Sequence, residues 1–342
     1  MTRPTVSLGV GPDGKEIRVD KIGLGLMLMT WRTTPIPDEQ CFAAIKAGID
    51  ALDDGVKLFI NGGEFYGYNL ATTNLEMIQR FFDKYPEYAD RTFLSVKGGL
   101  KLDQLQPDGS PANLERSVSN IIDKLGKNKR LDLFQPARVD TKVPVKEAIG
   151  TLSDLTKKLG FDHIGMSECK ASSLETGNSV HHITAVEIEV SPWSYEDETK
   201  RVIEAARKAG TAVIAYSPLG GGFLTGQIKS HADLPEDDFR RRLPRYQEEN
   251  MKHNMAIVDG LSAIAKRKGI TPAQLCIAWV SSLGDHVIPL PGSSLDTRTL
   301  ENIAAGDVVL TKEEQEEIEK VLEVNAVKGA RYGTAAQAYL WG

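Results

Sequence analysis

The sequence predicts an α/β fold, a closed (β/α)8 barrel built from a single domain spanning residues 1–342. Three observations predict it. Short apolar runs alternate with longer amphipathic stretches, the pattern of strands joined by crossover helices in a parallel sheet. Eight such units follow one another, the number a closed parallel barrel needs. They are spread too evenly to leave room for a domain boundary, and the length suits one barrel with insertions, which runs from roughly 200 to more than 400 residues.

The elements follow in order. Ile22 to Leu26 reads as a buried strand, and Asp38 to Asp53 carries Phe42, Ile45, Ile49 and Leu52 at helical spacing. Leu58 to Asn61 is the second strand, with a helix around Asn74 to Phe82. Thr92 to Lys97 is the third, followed by Pro111 to Leu125, where proline stands at a helix start that needs no N–H. Leu131 to Pro136 is the fourth strand, and Val145 to Leu159 a helix stopped by Gly160. Ile164 to Ser167 and a short helix from Ser172 form the fifth unit. Val186 to Val190, with Tyr195 to Ala209 closed by Gly210, forms the sixth. Ala212 to Ser217 is the seventh strand. Val287 to Leu290, with a helix from Asp296, is the eighth unit.

Three pieces fall outside this repeat. Val6-Ser7-Leu8 and Ile17-Arg18-Val19 around Pro12-Asp13-Gly14 predict an N-terminal hairpin that plugs one barrel end. Pro218 to His286 is a Gly-rich, charged loop followed by helices near Met255–Lys268 and Pro272–Leu283. The end opens with an acidic helix capped by Thr311 and Glu314, then a C-terminal tail with Tyr332, Tyr339 and Trp341.

Composition narrows the function classes. Hydrophobic residues make up 41% and charged residues 26%, which excludes a chain disordered throughout. A formal net charge of -6 argues against nucleic-acid binding, which works by neutralising phosphates. Cys41, Cys169 and Cys276 show neither disulfide-framework nor zinc spacing, and no metal site is expected. Met1 to Gly14 has no apolar stretch of signal-peptide length, and no apolar run is long enough to span a membrane. The expectation is a cytoplasmic chain with no membrane or nucleic-acid partner; nuclear entry and oligomeric state are left open.

In such a barrel the chemistry sits at the C-terminal strand ends. Those ends carry Asn61 and Gly62; Lys97 and Gly98; Ala137 and Arg138; Ser167 and Glu168; Glu189 and Ser191; Tyr216 and Ser217; and Pro291, Gly292 and Ser293. Lys97 closes an otherwise apolar strand, so its charge must snorkel out or be paired. Tyr66 lies five positions beyond Asn61, in a turn that Gly62, Gly63 and Gly67 allow. A phenol beside an ammonium is a workable proton donor, because the cation favours the phenolate left behind.

Taken together, these segments resemble the aldo-keto reductase superfamily over nearly the whole chain. The resemblance rests on Gly23-Leu24-Gly25 with Met29-Thr30-Trp31, on Gly62-Gly63-Glu64-Phe65-Tyr66-Gly67, on Val96-Lys97, and on Leu131-Asp132-Leu133-Phe134-Gln135. It continues through Ile164-Gly165-Met166-Ser167-Glu168, Ala215-Tyr216-Ser217-Pro218-Leu219-Gly220, Ile288-Pro289-Leu290-Pro291-Gly292-Ser293, and Arg298 with Glu301-Asn302. It implies NADPH-dependent carbonyl reduction on a (β/α)8 barrel. Tyr66 and Lys97 match two of the family's four catalytic positions. The family's Asp falls on Asn61 and its His on Ala137, with Arg138 retained. Asn61 can accept a hydrogen bond from Lys97 but brings no charge, so the field of Lys97 on Tyr66 is expected to be uncompensated. Orientation of the substrate carbonyl then falls to Arg138, Trp31, Glu64 or the substrate itself.

The resemblance also implies a cofactor site. Tyr216 would stack on the nicotinamide, with Ser167 and Glu187 at its carboxamide. Ser217, Leu219 and Gly221 would follow the dinucleotide. Gly292-Ser293-Ser294 would bind phosphate through backbone N–H groups before a helix. Arg298 would hold the 2'-phosphate, with Glu301 and Asn302 near the adenosine. Asn61-Gly62-Gly63-Glu64-Phe65-Tyr66-Gly67, with Gln135-Pro136-Ala137-Arg138-Val139-Asp140, looks like the branch of yeast-type pyridoxal reductases. That branch implies pyridoxal, the vitamin B6 aldehyde, as substrate, its phenolic oxygen available to Tyr66 or Arg138. The alternatives are a general aldehyde or ketone reductase and an NADPH-binding regulatory subunit with little turnover. Arg240-Arg241-Arg242 with Arg245 reads either as a solvated loop or as a flap over the cofactor phosphates. His181-His182 reads as surface, Cys169 has no adjacent activating His, and the aromatic tail reads as pocket lining or packing latch.

Overall fold

A computed structural model describes residues 3–11, 13–333 and 337–342. An antiparallel hairpin comes first, β1 (Thr5–Val10) paired with β2 (Glu16–Asp20); Pro12 of the expected turn lies outside the described residues. The next strands are β3 (Leu24–Gly25), β4 (Leu58–Gly63) and β5 (Thr92–Gly98). A small antiparallel ribbon follows, β6 (Leu100–Lys101) with β7 (Gln106–Pro107). Then come β8 (Leu133–Pro136), β9 (His163–Ser167), β10 (Ile183–Glu189), β11 (Ala212–Tyr216) and β12 (Val287–Leu290). Eight strands form one parallel sheet in the order β12-β11-β10-β9-β8-β5-β4-β3.

The sheet closes on itself, as the count of eight units predicts. Gly23 and Gly25 donate their N–H groups to the carbonyls of Pro289 and Pro291, at 2.9 and 3.0 Å, and Gly25 bridges Gly292 in parallel. Closure needs glycine at 23, because a Cβ there would lie 2.8 Å from Leu290 Cδ1 and 3.2 Å from the carbonyl of Phe59. β3 is shorter than the expected Ile22 to Leu26. Leu26 adopts helical angles (φ -101°, ψ -1°) and turns the chain into a one-turn helix, α1 (Met27–Thr30).

The helices pack outside the barrel: α2 (Asp38–Asp50), α3 (Thr73–Lys84), α4 (Pro111–Leu125), α5 (Val145–Leu159), α6 (Ala171–Asn178), α7 (Asp197–Ala209), α8 (Glu248–Lys268), α9 (Pro272–Ser282), α10 (Asp296–Ala304) and α11 (Lys312–Val324). Local chemistry fixes their ends. Ser110 caps α4 by accepting from the Asn113 N–H at 3.4 Å. Gly160 and Gly210 end α5 and α7 in the left-handed conformation at φ 78° and 69°. Thr311 and Glu314 form the expected reciprocal cap of α11.

The barrel interior is graded along its axis. At the N-terminal end Phe59, Phe93, Leu133, Ala185, Ala212, Ile214 and Ile288 pack together, and Val6, Leu8 and Val19 of the hairpin close them off. Side chains two residues further along each strand return to the same face. There the lining turns polar: Asn61 on β4, Ser95 on β5, Gln135 on β8 and Glu187 on β10 are all buried and bonded to one another. No helix among the described residues is long and apolar enough to cross a membrane.

Candidate active site

Above the polar layer lies Lys97, the last side chain but one of β5, only 7% exposed. Its Nζ donates to Tyr66 OH at 3.0 Å and to Asn61 Oδ1 at 3.3 Å, and forms a close ion pair with Glu187 Oε1. The three residues expected to act together, Tyr66, Lys97 and Asn61, therefore meet. The expected electrostatics do not hold, because Glu187 reaches across from β10 and compensates the lysine charge that Asn61 leaves open. Burial alone would lower the pKa of Lys97; the Glu187 carboxylate, followed by Tyr66, more than reverses this and holds it above the ordinary lysine value. Lys97 is therefore an ammonium throughout the neutral range.

The turn after β4 fixes Tyr66. Asn74 of α3 accepts the Gly63 N–H at 3.2 Å and donates to Leu26 O and Thr30 Oγ1 at 3.1 and 2.9 Å. Thr30 Oγ1 donates in turn to the Tyr66 carbonyl at 2.6 Å. Trp31 stacks on the Tyr66 ring, with centroids 5.3 Å apart and planes at 22°. Ala137 is buried against Tyr66, Phe65 and Leu100, so this flank of the site is apolar. Arg138 stands beside it, half-buried, with Nη1 on the Ala137 carbonyl at 2.6 Å. Burial would lower its pKa, but Tyr216, Glu168, Tyr332 and Tyr66 around it raise it above the usual arginine value.

Glu64 does not face the substrate side as expected. Its buried carboxylate accepts from Arg116 Nη1 (2.7 Å), Ser117 Oγ (2.6 Å) and Asn120 Nδ2 (2.8 Å), all on α4. Three donors on one helix claim this carboxylate, leaving none of it for a ligand.

Opposite Tyr66, the Tyr216 ring lies 5.5 Å from Lys97 Nζ. Its hydroxyl accepts from Arg331 Nη2 at 3.1 Å and lies 3.2 Å from Tyr332 OH. Burial first, then Glu168 and Tyr332, push the Tyr216 hydroxyl well above the ordinary phenol range, so it stays neutral. Arg331 also binds Glu189 Oε2 at 2.8 Å and Glu168 Oε1 at 3.0 Å. The tail thus places a buried arginine behind Tyr216 and Tyr332 beside it. Neither Arg331 nor the role of Glu189 was expected from the sequence. The signal was present: two glutamates in a strand buried from end to end each require a cation.

Unpartnered buried polar atoms mark where a dinucleotide fits. Among the described residues, Ser167 Oγ and Gln135 Oε1 have no hydrogen-bond partner in the mouth of the barrel, and neither Oδ1 nor Nδ2 of buried Asn302 has one. An amide-bearing ring at the first place and a nucleoside at the second would satisfy them, so these residues fit the group. Glu187 fits less well than expected, since Lys97, Asn61 and Gln135 occupy both its oxygens. Gly292, Ser293 and Ser294 lead into α10, as expected; Ser293 Oγ bonds Leu295 and the Ser294 carbonyl accepts from Gln40. Arg298 is exposed in the first turn of α10 and makes no ion pair among the described residues. Glu301 Oε1 accepts from Thr271 Oγ1 at 2.7 Å.

Ser217 adopts a left-handed φ of 52°, as does Glu168 at 51°, so backbone strain gathers at the strand ends that line this mouth. Ser217, Leu219 and Gly221 form a tight turn that Tyr246 closes on the Gly220 carbonyl at 2.7 Å. Three of the four arginines after β11 are tied to the protein, while Arg242 is exposed. Arg240 pairs with Asp238 and bonds the Gly221 carbonyl, Arg241 bonds His231 O and Leu234 O, and buried Arg245 bonds Trp193 O and Ser194 Oγ. Backbone carbonyls left over by an irregular loop explain this use of guanidinium groups. The three cysteines are free and buried, Cys169 with its thiol pushed up to about 12 by burial. No group of three or more His, Cys, Asp or Glu among the described residues is placed to hold a metal ion.

A Schizosaccharomyces pombe protein named "Probable pyridoxal reductase 2" is 34% identical over 328 residues, 94% of this chain and 97% of its own. A Saccharomyces cerevisiae protein named provisionally as a pyridoxal reductase is 34% identical over 337 residues, covering 92% and 96%. An S. pombe aldo-keto reductase named for NADP(+) is 33% identical over 324 residues, covering 93% of each chain. Among solved structures, glycerol dehydrogenase from Gluconobacter oxydans shares the fold with a TM-score of 0.80 at 21% identity, over 96% of this chain and 98% of that one. The profile of the aldo/keto reductase family matches residues 21–323, and on that match and these relatives the chain belongs to the aldo/keto reductase family of NAD(P)-dependent oxidoreductases.

Proposed function

We propose that the chain reduces pyridoxal to pyridoxine with NADPH, with Tyr66 as the proton donor. The observation that carries this reading is the buried contact of 3.0 Å between Lys97 Nζ and Tyr66 OH at the mouth of the barrel. NADPH, when bound, supplies the hydride that the carbonyl carbon takes up. Tyr66 gives its hydroxyl proton to the carbonyl oxygen, so that C=O becomes CH–OH, and Lys97 stabilises the phenolate that remains. Ser167 and Gln135 would hold the carboxamide end of the cofactor, Asn302 and Arg298 its adenosine end, and Tyr216 would back the ring. Trp31 and Ala137 offer a flat apolar wall to an aromatic aldehyde.

Two things support pyridoxal over other aldehydes. The names of the two yeast relatives point to it. The half-buried Arg138, beside Tyr66 and Tyr216, can receive the phenolic oxygen ortho to its aldehyde. The test is NADPH oxidation followed with pyridoxal and with 4-nitrobenzaldehyde in parallel. Faster turnover of pyridoxal is expected. Turnover of the nitroaldehyde alone would leave a general carbonyl reductase, and NADPH binding with turnover of neither would refute the enzymatic reading.

A further inference from the structure

Glu187 sits in β10 between Val186 and Ile188, in a strand with every residue buried, and has no exposed surface itself. A carboxylate there must be paired or neutral. It is paired completely. Oε1 meets the Lys97 ammonium, and Oε2 accepts from Gln135 Nε2 at 2.6 Å and from Asn61 Nδ2 at 3.0 Å. Asn61 joins the two charges, since its Oδ1 accepts from Lys97 at 3.3 Å while its Nδ2 donates to Glu187. An ionised carboxylate cannot do both at once, and an aspartate at 61 would set a second carboxylate about 3 Å from the first.

We infer that Glu187 is the positioning residue that sets the charge felt by Tyr66, through Lys97, and that Asn61 and Glu187 are a matched pair in which β10 supplies the carboxylate and β4 the neutral bridge. The inference rests on the reading of Tyr66 as proton donor. The charged and titratable groups around Tyr66 come from five places. Lys97 comes from β5, Arg138 follows β8, and Glu187 stands behind Lys97 on β10. Glu168 follows β9, paired with Arg331 of the tail, and Tyr216 on β11 is joined to Tyr332. Glu64, two residues from Tyr66, is turned away to Arg116. Without the charge of Glu187, burial is no longer offset at Lys97, and the coupled pair Tyr66–Lys97 gives up its first proton at lower pH.

The test is a pH titration of the tyrosines in the full-length chain by 13C NMR, with Tyr66 assigned from Tyr66→Phe. Glu187→Gln is expected to lower the first titration of the coupled Tyr66–Lys97 pair, read at the Tyr66 ring carbon, by about one pH unit or more, the shift typical of one charge within 4–6 Å. The alkaline limb of the kcat/KM profile should move down with it. The double variant N61D/E187Q, which returns one carboxylate to the other side of Lys97, is expected to restore both to within about half a unit. An unmoved Tyr66 in Glu187→Gln, or a shift that the double variant does not reverse, overturns the inference. If Glu187→Gln does not fold, the double variant decides alone: it folds and titrates as the parent does, or the inference fails. The titration needs no cofactor or substrate, so it can fail while pyridoxal is still reduced. It can also succeed where pyridoxal is not a substrate, and the two failures are told apart.

Discussion

The ring of Tyr66 rests on the backbone of Gly63: a Cβ at position 63 would lie 2.8 to 2.9 Å from three of its ring carbons. Trp31 stacks nearby and Thr30 holds the Tyr66 carbonyl, so the ring has little room to retreat. Gly63→Ala should push the ring away from Lys97. Overpacking of this kind costs ~1–3 kcal/mol of stability, which a barrel of this size survives. The expected outcome is a folded protein with kcat reduced by about 100-fold, since misplacement of a reacting group by about 1 Å has that effect. Thermal melting and steady-state kinetics check it; full activity in a folded variant would show that Tyr66 is not held from this side.

Tyr66→Phe removes only the hydroxyl. If that hydroxyl is the proton source, turnover should fall by about 10²- to 10⁴-fold. The contacts of Trp31, Gly63 and Ala137 with the ring survive the change, so NADPH affinity measured by fluorescence should hold within about threefold. Retained turnover would move the proton donor elsewhere, and parallel loss of binding would mean that the substitution had disturbed the pocket as a whole.

Arg331 and Glu168 form a pair with both side chains almost wholly buried. Burial alone would raise the pKa of Glu168, but Arg331 and then Arg138 reverse this and hold it below the usual carboxylate value. The unfolded chain therefore binds the proton first on acidification. Stability from this group is full above the unfolded glutamate pKa, near 4.3, and is lost as pH falls through the depressed folded value. Arg331→Met leaves the carboxylate buried without its main partner, at a cost of ~3–5 kcal/mol. With its pKa now raised, the sign reverses, and the variant should gain stability relative to the parent as pH falls from 7 to 5. Urea unfolding at several pH values measures this. A constant difference between variant and parent across that range would show that the pair does not control Glu168.

The barrel was legible because it is written in local pattern, whereas the pair Tyr66–Lys97, 31 positions apart, was legible only through the family resemblance. Eight apolar runs announce eight strands, and a turn rich in glycine places a tyrosine beside a strand end. What was not legible depended on contacts between strands far apart in sequence. Glu187 and Lys97 are separated by 90 positions and Arg331 and Glu189 by 142, and no periodicity reports which charge a buried glutamate will meet. Glu64 misled for a related reason: adjacency to Tyr66 suggested a shared pocket, whereas its carboxylate is claimed by α4. The ribbon of β6 and β7 is only two residues per strand, too short to carry an alternation.

Arg298 offers the clearest test of cofactor choice. It is exposed, lies in the first turn of α10, and is free of ion pairs among the described residues, so its guanidinium is available to an anion. The N-terminal end of a helix adds its own preference for negative charge. The 2'-phosphate is the only group that distinguishes NADPH from NADH. A charge-assisted hydrogen bond contributes ~1.5–3 kcal/mol, equal to about 10- to 100-fold in affinity. Arg298→Ala should therefore raise KM for NADPH by that factor and leave KM for NADH within about twofold. Because Arg298 is exposed on α10, outside the cluster of Tyr66, Lys97 and Glu187, kcat at saturating cofactor should not change. Equal effects on the two cofactors would place the 2'-phosphate elsewhere, and the arginines of the loop after β11 would be the next to replace, starting with Arg242, which is exposed.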